Sequence, residues 1–280
     1  MKKLILILNC FIVSSFAAEN KLTTIESGIS FYTEYYPNTA AKFKGTIVFE
    51  NGSGTTTDEW TQNKTFFNCA KQAGSIFLYD RNGLGLSPAD LSLSKNKPLT
   101  ASYASSKLTK LLQKKQIKPP YIIIAHSYGS IYAGEFIAAH KNQIKGVLFV
   151  DPVPKNFHFL ASGLMRDYES PIQYANNESS GAVYQKFGGA KAEVIYQLLG
   201  FEQSKIEIAK SSAIESNIPI SILSSTQMER DKPLEEDWYL GQKQWLNSNP
   251  QSKIITVKSS HFIQLEQPQV VCDQLKQIVN

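Results

Sequence analysis

The sequence of 280 residues has no apolar run long enough to cross a membrane, which takes roughly 20 apolar residues in a helix. The run from Leu4 to Val13 has about half that length and follows Lys2 and Lys3. Ser15-Phe16-Ala17 then puts small residues at the positions that a signal peptidase inspects. We therefore predict a signal peptide over residues 1–17, export to the periplasm or the extracellular space, and no stable membrane span. The alternative is an uncleaved N-terminal anchor.

Clusters of basic residues are also absent. The formal net charge is +5, but the lysines are scattered along the chain. Proteins that bind nucleic acids usually present a basic patch or stripe in one place. We therefore expect no nucleic-acid partner. The sequence leaves the oligomeric state open.

Cysteine is scarce, with three residues in the whole chain. Cys10 lies in the predicted signal peptide, so the mature chain keeps Cys69 and Cys272. Two cysteines in an exported protein can form a disulfide, or they can remain as two buried thiols. Composition alone does not choose between these alternatives.

The chain does contain a regular alternation of short apolar runs and helix-length segments. The runs are rich in β-branched and aromatic residues and nearly continuous in apolarity, as expected for strands buried on both faces. They lie at 46–49, 75–79, 121–124, 146–150, 220–223 and 253–257, and the helical segments at about 57–73, 101–116, 128–141, 235–247 and 265–279. This alternation predicts a parallel sheet covered by helices on both faces. Residues 21–37 predict two further strands in an edge hairpin.

Residues 155–218 interrupt the alternation. They separate two strands by far more than the usual connection of 2–6 residues. They include a helical piece, Ala190 to Leu199, and an apolar patch, Phe157 to Met165. We predict that this insertion forms a lid over the end of the preceding strand. No linker divides the chain, so residues 18–280 are predicted to form one domain.

A candidate nucleophile follows the strand at 121–124. Ala125-His126-Ser127-Tyr128-Gly129 joins that strand to a helix, which is the strand–turn–helix context of a nucleophile elbow. The residues two positions from Ser127 are small, as the sharp turn requires. The alternative is that Ser127 only caps the helix.

Four histidines are candidates for the base that a serine nucleophile needs. His126 adjoins Ser127 and is expected to point away from it, His140 ends the next helix, and His158 lies in the predicted lid. His261 follows the last strand, where the ends of parallel strands converge. We therefore predict His261 as the base, with a purely structural histidine as the alternative.

Four stretches together resemble the α/β-hydrolases, and the resemblance covers nearly the whole mature chain. They follow the predicted strands in the family's order: Phe49-Glu50-Asn51-Gly52-Ser53-Gly54, Tyr79-Asp80-Arg81-Asn82-Gly83-Leu84-Gly85-Leu86-Ser87, the elbow at 125–129, and Ser259-Ser260-His261-Phe262. The resemblance implies an α/β fold: a mostly parallel eight-stranded sheet, helices on both faces, and a helical lid inserted after strand six. It also implies an oxyanion hole made by the backbone N–H groups of Ser53 and Tyr128. Asp80 and Arg81 are expected to brace loops beside the site.

The acid of the predicted triad is the difficult member. In most relatives an aspartate follows the seventh strand, where this chain has Met228, which cannot orient an imidazole. Asp151, at the end of the sixth strand, is the preferred substitute because some relatives carry their acid there. Glu229 or Asp231 is the alternative acid, and a chain without a functional acid is the last possibility.

These expectations define a function. The resemblance implies a serine hydrolase that cleaves a small ester, lipid-like in view of the apolar lid, through an acyl-enzyme on Ser127, without metal or organic cofactor. A serine nucleophile argues against the haloalkane dehalogenases and epoxide hydrolases of the family, which use an aspartate. The alternatives are an amidase or peptidase with the same triad, and a ligand-binding protein without catalysis. The family's packing of the first and last major helices on one face also favours a Cys69–Cys272 disulfide.

Overall fold

The computed structural model describes residues 19–157, 165–210, 214–227 and 232–280. An eight-stranded sheet forms its centre, in the order β1-β2-β4-β3-β5-β6-β7-β8. The strands are β1 Glu19–Glu26, β2 Ile29–Tyr36, β3 Thr46–Glu50, β4 Ser75–Tyr79, β5 Tyr121–His126, β6 Ile144–Val150, β7 Ile220–Ser225 and β8 Lys253–Val257. The hairpin β1–β2 is antiparallel and joins β4 antiparallel, whereas the remaining pairings are parallel. The predicted mostly parallel sheet with an edge hairpin is confirmed.

Ten α-helices lie within the described residues. They are α1 Asp58–Thr61, α2 Lys64–Ala73, α3 Ala101–Lys114, α4 Gly129–Ala139, α5 Glu169–Asn177, α6 Ala182–Phe187, α7 Gly189–Lys210, α8 Lys232–Gln242, α9 Ile263–Glu266 and α10 Pro268–Val279. Short 3₁₀ turns occur at Lys141–Gln143, Arg166–Tyr168 and Lys243–Trp245. Helices therefore follow the parallel strands in the alternation that the sequence predicts.

The central strands are buried on both faces, which explains their continuous apolarity. Successive side chains of a strand point to opposite faces of the sheet. Val48 and Ile123 pack in the cluster that includes side chains of α3, α4 and α7. Ile47 and Ile122 pack in a second cluster, with side chains of α2 and α10. The helices thus cover the sheet on two sides.

Two predicted helices are broken, and each break has a local cause. The segment 57–73 forms α1 and α2, because the side chain of Asn63 caps α2 by accepting hydrogen bonds from two backbone N–H groups of its first turn. The segment 265–279 forms α9 and α10, because Pro268 opens α10 and has no N–H with which to extend α9.

The insertion after β6 is helical, as predicted. Its described part contains α5, α6 and α7, and α7 is far longer than the predicted piece from Ala190 to Leu199. This helix packs against α3, α4, α5 and α6. His158 and most of the apolar patch 157–165 lie outside the described residues.

A disulfide joins Cys69 in α2 to Cys272 in α10, with 6.0 Å between the two Cα atoms. The two helices pack on the same face of the sheet, so their side chains meet although 203 residues separate them along the chain. The predicted signal peptide, residues 1–17, lies outside the described residues. None of the described helices combines the length and apolarity that a membrane span needs.

Candidate active site

The loops that carry the predicted site residues leave parallel strands at the same edge of the sheet. The segment 51–54 follows β3, Ser127 follows β5, Asp151 follows β6, and His261 follows β8 after a short loop. In an open parallel sheet this edge, at the carboxyl ends of the strands, is where ligands bind. Four distant parts of the sequence therefore meet at one place.

Ser127 lies on a sharp turn between β5 and α4 with φ at 51°, in the left-handed region. Residues other than glycine rarely adopt this conformation, and it is typical of strained functional positions. Gly129 lets the turn approach the β3 loop. A Cβ atom there would lie 2.5 Å from the backbone oxygen of Asn51. The geometry is that of the nucleophile elbow expected from the sequence.

A chain of hydrogen bonds links Ser127, His261 and Asp151. The Nε2 of His261 lies 2.8 Å from the Oγ of Ser127, and its Nδ1 lies 2.6 Å from the Oδ2 of Asp151. This is the connectivity of a Ser-His-Asp triad. The alternative acids Glu229 and Asp231 lie outside the described residues, as does Met228.

Asp151 is fully buried and held by neutral donors. It accepts hydrogen bonds from the backbone N–H and the hydroxyl of Ser225, the amide of Gln242 and the indole of Trp238. Burial alone would raise the pKa of this carboxyl, but the hydrogen bonds and the nearby His261 ring lower it below its ordinary value. The carboxylate is therefore kept ionised next to the imidazole.

The segment Asn51-Gly52-Ser53-Gly54, called the oxyanion loop below, has its backbone held on both sides of Ser53. The N–H of Gly52 donates to the carboxylate of Glu59 at 2.9 Å, and the N–H of Gly54 donates to the carboxylate of Glu193 at 2.7 Å. Within the described residues, the N–H of Ser53 makes no hydrogen bond. This donor is therefore available to a bound molecule, as an oxyanion-hole donor must be.

The ring of His126 makes its hydrogen bonds to Glu59 and to the backbone of His261 rather than to the Ser127 hydroxyl, as expected, yet it lines the same cavity. Its ring is buried, and its centroid lies 4.6 Å from that of His261. Its Nε2 lies 3.0 Å from the backbone oxygen of His261, and its Nδ1 lies 3.0 Å from the carboxylate of Glu59. The buried carboxylate of Glu59 holds the ring in this position. The two residues are far apart in the sequence, so no local pattern predicts their contact.

The protons of His126 follow from its partners. A carbonyl oxygen only accepts, so Nε2 carries a proton, while Nδ1 lies within hydrogen-bond distance of the Glu59 carboxylate. Burial lowers the pKa of His126, but the carboxylate of Glu59 outweighs it and raises the pKa above its ordinary value. His126 and Glu59 together connect the oxyanion loop to His261, since Glu59 accepts from the Gly52 N–H and His126 contacts the backbone oxygen of His261.

Asp80 and Arg81 brace the neighbouring loops, as expected. Asp80 accepts hydrogen bonds from the backbone N–H groups of Thr57 and Leu86. Arg81 is buried and donates to the carboxylates of Glu50 and Glu193 and to two backbone oxygens of the oxyanion loop.

The site opens into a cavity of about 300 Å³. Besides the oxyanion loop and the elbow, its walls are largely apolar and include Val153, Met165, Trp238 and Phe262. Within the described parts of the chain, no three His, Cys, Asp or Glu side chains are grouped to hold a metal ion.

Comparisons with known proteins agree with this architecture. The model of a family described as the alpha/beta hydrolase family matches residues 47–274. The chain is 28% identical over 255 residues to the uncharacterized protein YqjL of Bacillus subtilis (strain 168). The aligned region covers 90% of this chain and 88% of that protein.

Two solved structures share the fold at 14% sequence identity. The superposition on the haloalkane dehalogenase DatA from Agrobacterium tumefaciens C58 has a TM-score of 0.65 and covers 93% of this chain and 97% of the DatA chain. The superposition on a putative lipase from Acinetobacter baumannii AYE has a TM-score of 0.62 and covers 94% of this chain and 91% of the lipase chain. Similarity at this identity extends to the fold alone.

Proposed function

This chain belongs to the alpha/beta hydrolase family, and from that membership we propose that it is a serine hydrolase that cleaves a carboxylic ester through an acyl-enzyme on Ser127. The observation that carries the proposal is the unbroken chain of hydrogen bonds from Asp151 through His261 to the Ser127 hydroxyl. A serine that only caps a helix does not need an imidazole and a buried carboxylate behind it.

The proposed reaction has two halves. The Oγ of Ser127 attacks the ester carbonyl while the Nε2 of His261 takes the hydroxyl proton, and Asp151 stabilises the resulting imidazolium. The N–H groups of Ser53 and Tyr128 donate to the oxyanion. When the intermediate collapses, His261 gives its proton to the departing alcohol. Water then attacks the acyl-enzyme in the same way, and Ser127 regains its proton as the acid leaves.

The walls of the cavity favour a neutral, apolar acyl group. Val153, Met165, Trp238 and Phe262 offer hydrocarbon and aromatic surface, and no lysine, arginine, aspartate or glutamate lines the described cavity. An anionic substrate would find no partner there for its charge. The fold shared with a putative lipase is compatible with such a substrate.

We also propose that the protein works outside the cytoplasm, after removal of residues 1–17. The Cys69–Cys272 disulfide supports export, because disulfides persist mainly in oxidising compartments.

The proposal is tested by labelling the purified protein with a fluorophosphonate and locating the adduct by peptide mass spectrometry. We expect the adduct on Ser127. Ser127→Ala should abolish it and lower the turnover of p-nitrophenyl esters by roughly 10⁶-fold. Ser53→Ala is the matched control, because it removes a hydroxyl from the same cavity wall but keeps the backbone N–H.

A folded wild-type protein without an adduct would overturn the proposal in favour of a binding protein on a hydrolase fold. A p-nitrophenyl ester series from acetate to palmitate then measures the acyl preference of an active protein. If it hydrolyses anilides of the same acids faster than the esters, it is an amidase.

A further inference from the structure

The lid contributes a fully buried carboxylate, Glu193, to the back of the oxyanion loop. Glu193 lies near the start of α7 and accepts a hydrogen bond from the N–H of Gly54 at 2.7 Å. The first turn of α7 packs directly against this loop. The closeness is shown by Gly54, where an added Cβ atom would lie 3.3 Å from the Cβ of Ala190. The contact is therefore a close fit between lid and loop.

Arg81 connects Glu193 to the other end of the loop. Its Nε lies 2.5 Å from one Glu193 carboxylate oxygen, and its Nη2 lies 3.2 Å from the other. The same guanidinium donates to the backbone oxygens of Asn51 at 2.7 Å and of Gly52 at 2.5 Å. One planar cation thus holds a lid carboxylate and two loop carbonyls together, which a lysine could not do with the same geometry.

These contacts determine the direction of the Ser53 N–H. The carbonyl of Gly52 and the N–H of Ser53 belong to one planar trans peptide unit, in which they point in opposite directions. Because Arg81 holds the carbonyl, the N–H of Ser53 is turned away from Arg81. The next peptide unit is held as well, through the bond from the Gly54 N–H to Glu193.

We propose that Glu193 is a positioning residue that acts with Arg81 to fix both peptide units next to Ser53, so that the oxyanion hole is complete only with α7 in place. The inference rests on the proposed serine hydrolase function. It makes the lid a support of the oxyanion hole, in addition to the contribution of Met165 to the cavity wall. The charge of Arg81 also polarises the Gly52–Ser53 peptide and strengthens its N–H as a donor.

Glu193→Gln tests the proposal, because it keeps the size of the side chain but removes its charge. We expect kcat to fall about 10- to 100-fold, as for a displaced oxyanion donor, with KM within about twofold of the wild-type value. Turnover is expressed per active site, counted by titration with the fluorophosphonate, so that a loss of folded protein does not lower it. Affinity for an alkyl trifluoromethyl ketone, whose adduct with serine carries an oxyanion, should fall in parallel with kcat.

Glu207→Gln is the matched control on the same helix. Glu207 also accepts a hydrogen bond from a backbone N–H, that of Ser102 at 2.8 Å, and it makes no hydrogen bond to the oxyanion loop. It should change thermal stability but leave kcat per active site unchanged. Glu193→Asp, which keeps the charge next to Arg81, replaces Glu193→Gln if that variant does not fold, and its shorter side chain should also lower kcat.

A folded Glu193 variant with wild-type kcat per active site and wild-type affinity for the ketone would show that Glu193 is only structural. That outcome differs from failure of the proposed function, in which the wild-type protein itself neither hydrolyses esters nor takes the fluorophosphonate on Ser127.

Discussion

Asp151 and the oxyanion loop both lie at strand ends beside Ser127, but the molecule holds them with different interactions. Asp151 keeps contact with the sheet, since its N–H donates to the backbone oxygen of Leu223 at 2.7 Å, and its carboxylate receives hydrogen bonds from neutral groups. The oxyanion loop is held by ions, namely the carboxylates of Glu59 and Glu193 and the guanidinium of Arg81.

The difference follows from where each segment lies. Asp151 lies at the end of β6, where Ser225 of β7 and two side chains of α8 supply donors. The oxyanion loop has left the sheet and must find other partners for its buried backbone groups. Charged partners make the strongest of these bonds. Removing one of them leaves a buried charge without compensation. Neutral substitutions in the ionic half of the site, meaning the oxyanion loop with Glu59, Glu193 and Arg81, should therefore lower the free energy of unfolding more. Neutral substitutions in the triad half, meaning Ser127, His261 and Asp151, should lower turnover more.

The largest effect on turnover within this comparison is expected from Asp151→Asn. An asparagine can donate to His261 and thereby favour the wrong tautomer of the imidazole, which leaves no acceptor for the Ser127 proton. We expect kcat to fall by about 10⁴-fold with little change in KM. Steady-state kinetics with a p-nitrophenyl ester measure this.

Glu229→Gln and Asp231→Asn are the matched comparisons for the acid. Each removes one of the alternative carboxylates, and each should keep kcat within about twofold if Asp151 is the acid. A 10³-fold loss in either variant, with Asp151→Asn nearly as active as the wild type, would move the acid to the loop after β7.

A smaller effect on turnover is expected from Glu59→Gln, which weakens the ionic half. It removes the charge next to His126 but keeps an oxygen that can accept from the Gly52 N–H. We expect kcat to fall about tenfold through displacement of the loop. The free energy of unfolding should fall by about 3 kcal/mol at pH 6, because a buried ion pair loses one member. Asp58→Asn, which changes an exposed carboxylate on the same helix, should alter neither quantity.

The loss of stability in Glu59→Gln should become smaller as the pH rises. The pKa of His126 is raised in the folded protein, so its contribution to stability is fully present below the ordinary histidine pKa of about 6.5 and disappears as pH rises through the folded value. Glu59→Gln should therefore cost less stability at pH 9 than at pH 6, as measured by urea unfolding. An equal cost at both pH values would contradict a charged His126.

The site residues that could be predicted from the sequence are those with a local pattern. Ser127 has small neighbours after an apolar strand, and His261 and Asp151 follow strand ends. The structure brings these three together, and their catalytic roles stay predictions until the variants are measured. The strands were predictable for a similar reason, because burial on both faces leaves continuous apolar runs such as 121–124.

The supports of the oxyanion loop could not be predicted in this way. Glu193 and Arg81 are 112 residues apart in the sequence, and no periodicity connects them. The sequence contains one indication of a buried ion pair. Glu193 is an acidic residue between the apolar residues Ala192 and Val194, and it is buried in the structure. A buried carboxylate needs a partner. The sequence could indicate that a partner exists, but only the tertiary structure identifies Arg81.

The smallest effect on turnover is expected from loss of the Cys69–Cys272 disulfide, which joins α2 and α10 and does not line the cavity of the site. It closes a loop of about 200 residues, so replacing both cysteines by serine should lower the free energy of unfolding by up to about 5 kcal/mol. Turnover of the folded variant should stay within about twofold, which would separate global stability from both supports of the site. Intact-mass analysis after alkylation provides the control: a chain without residues 1–17 should take up two alkyl groups only after reduction. Uptake without reductant would show free thiols.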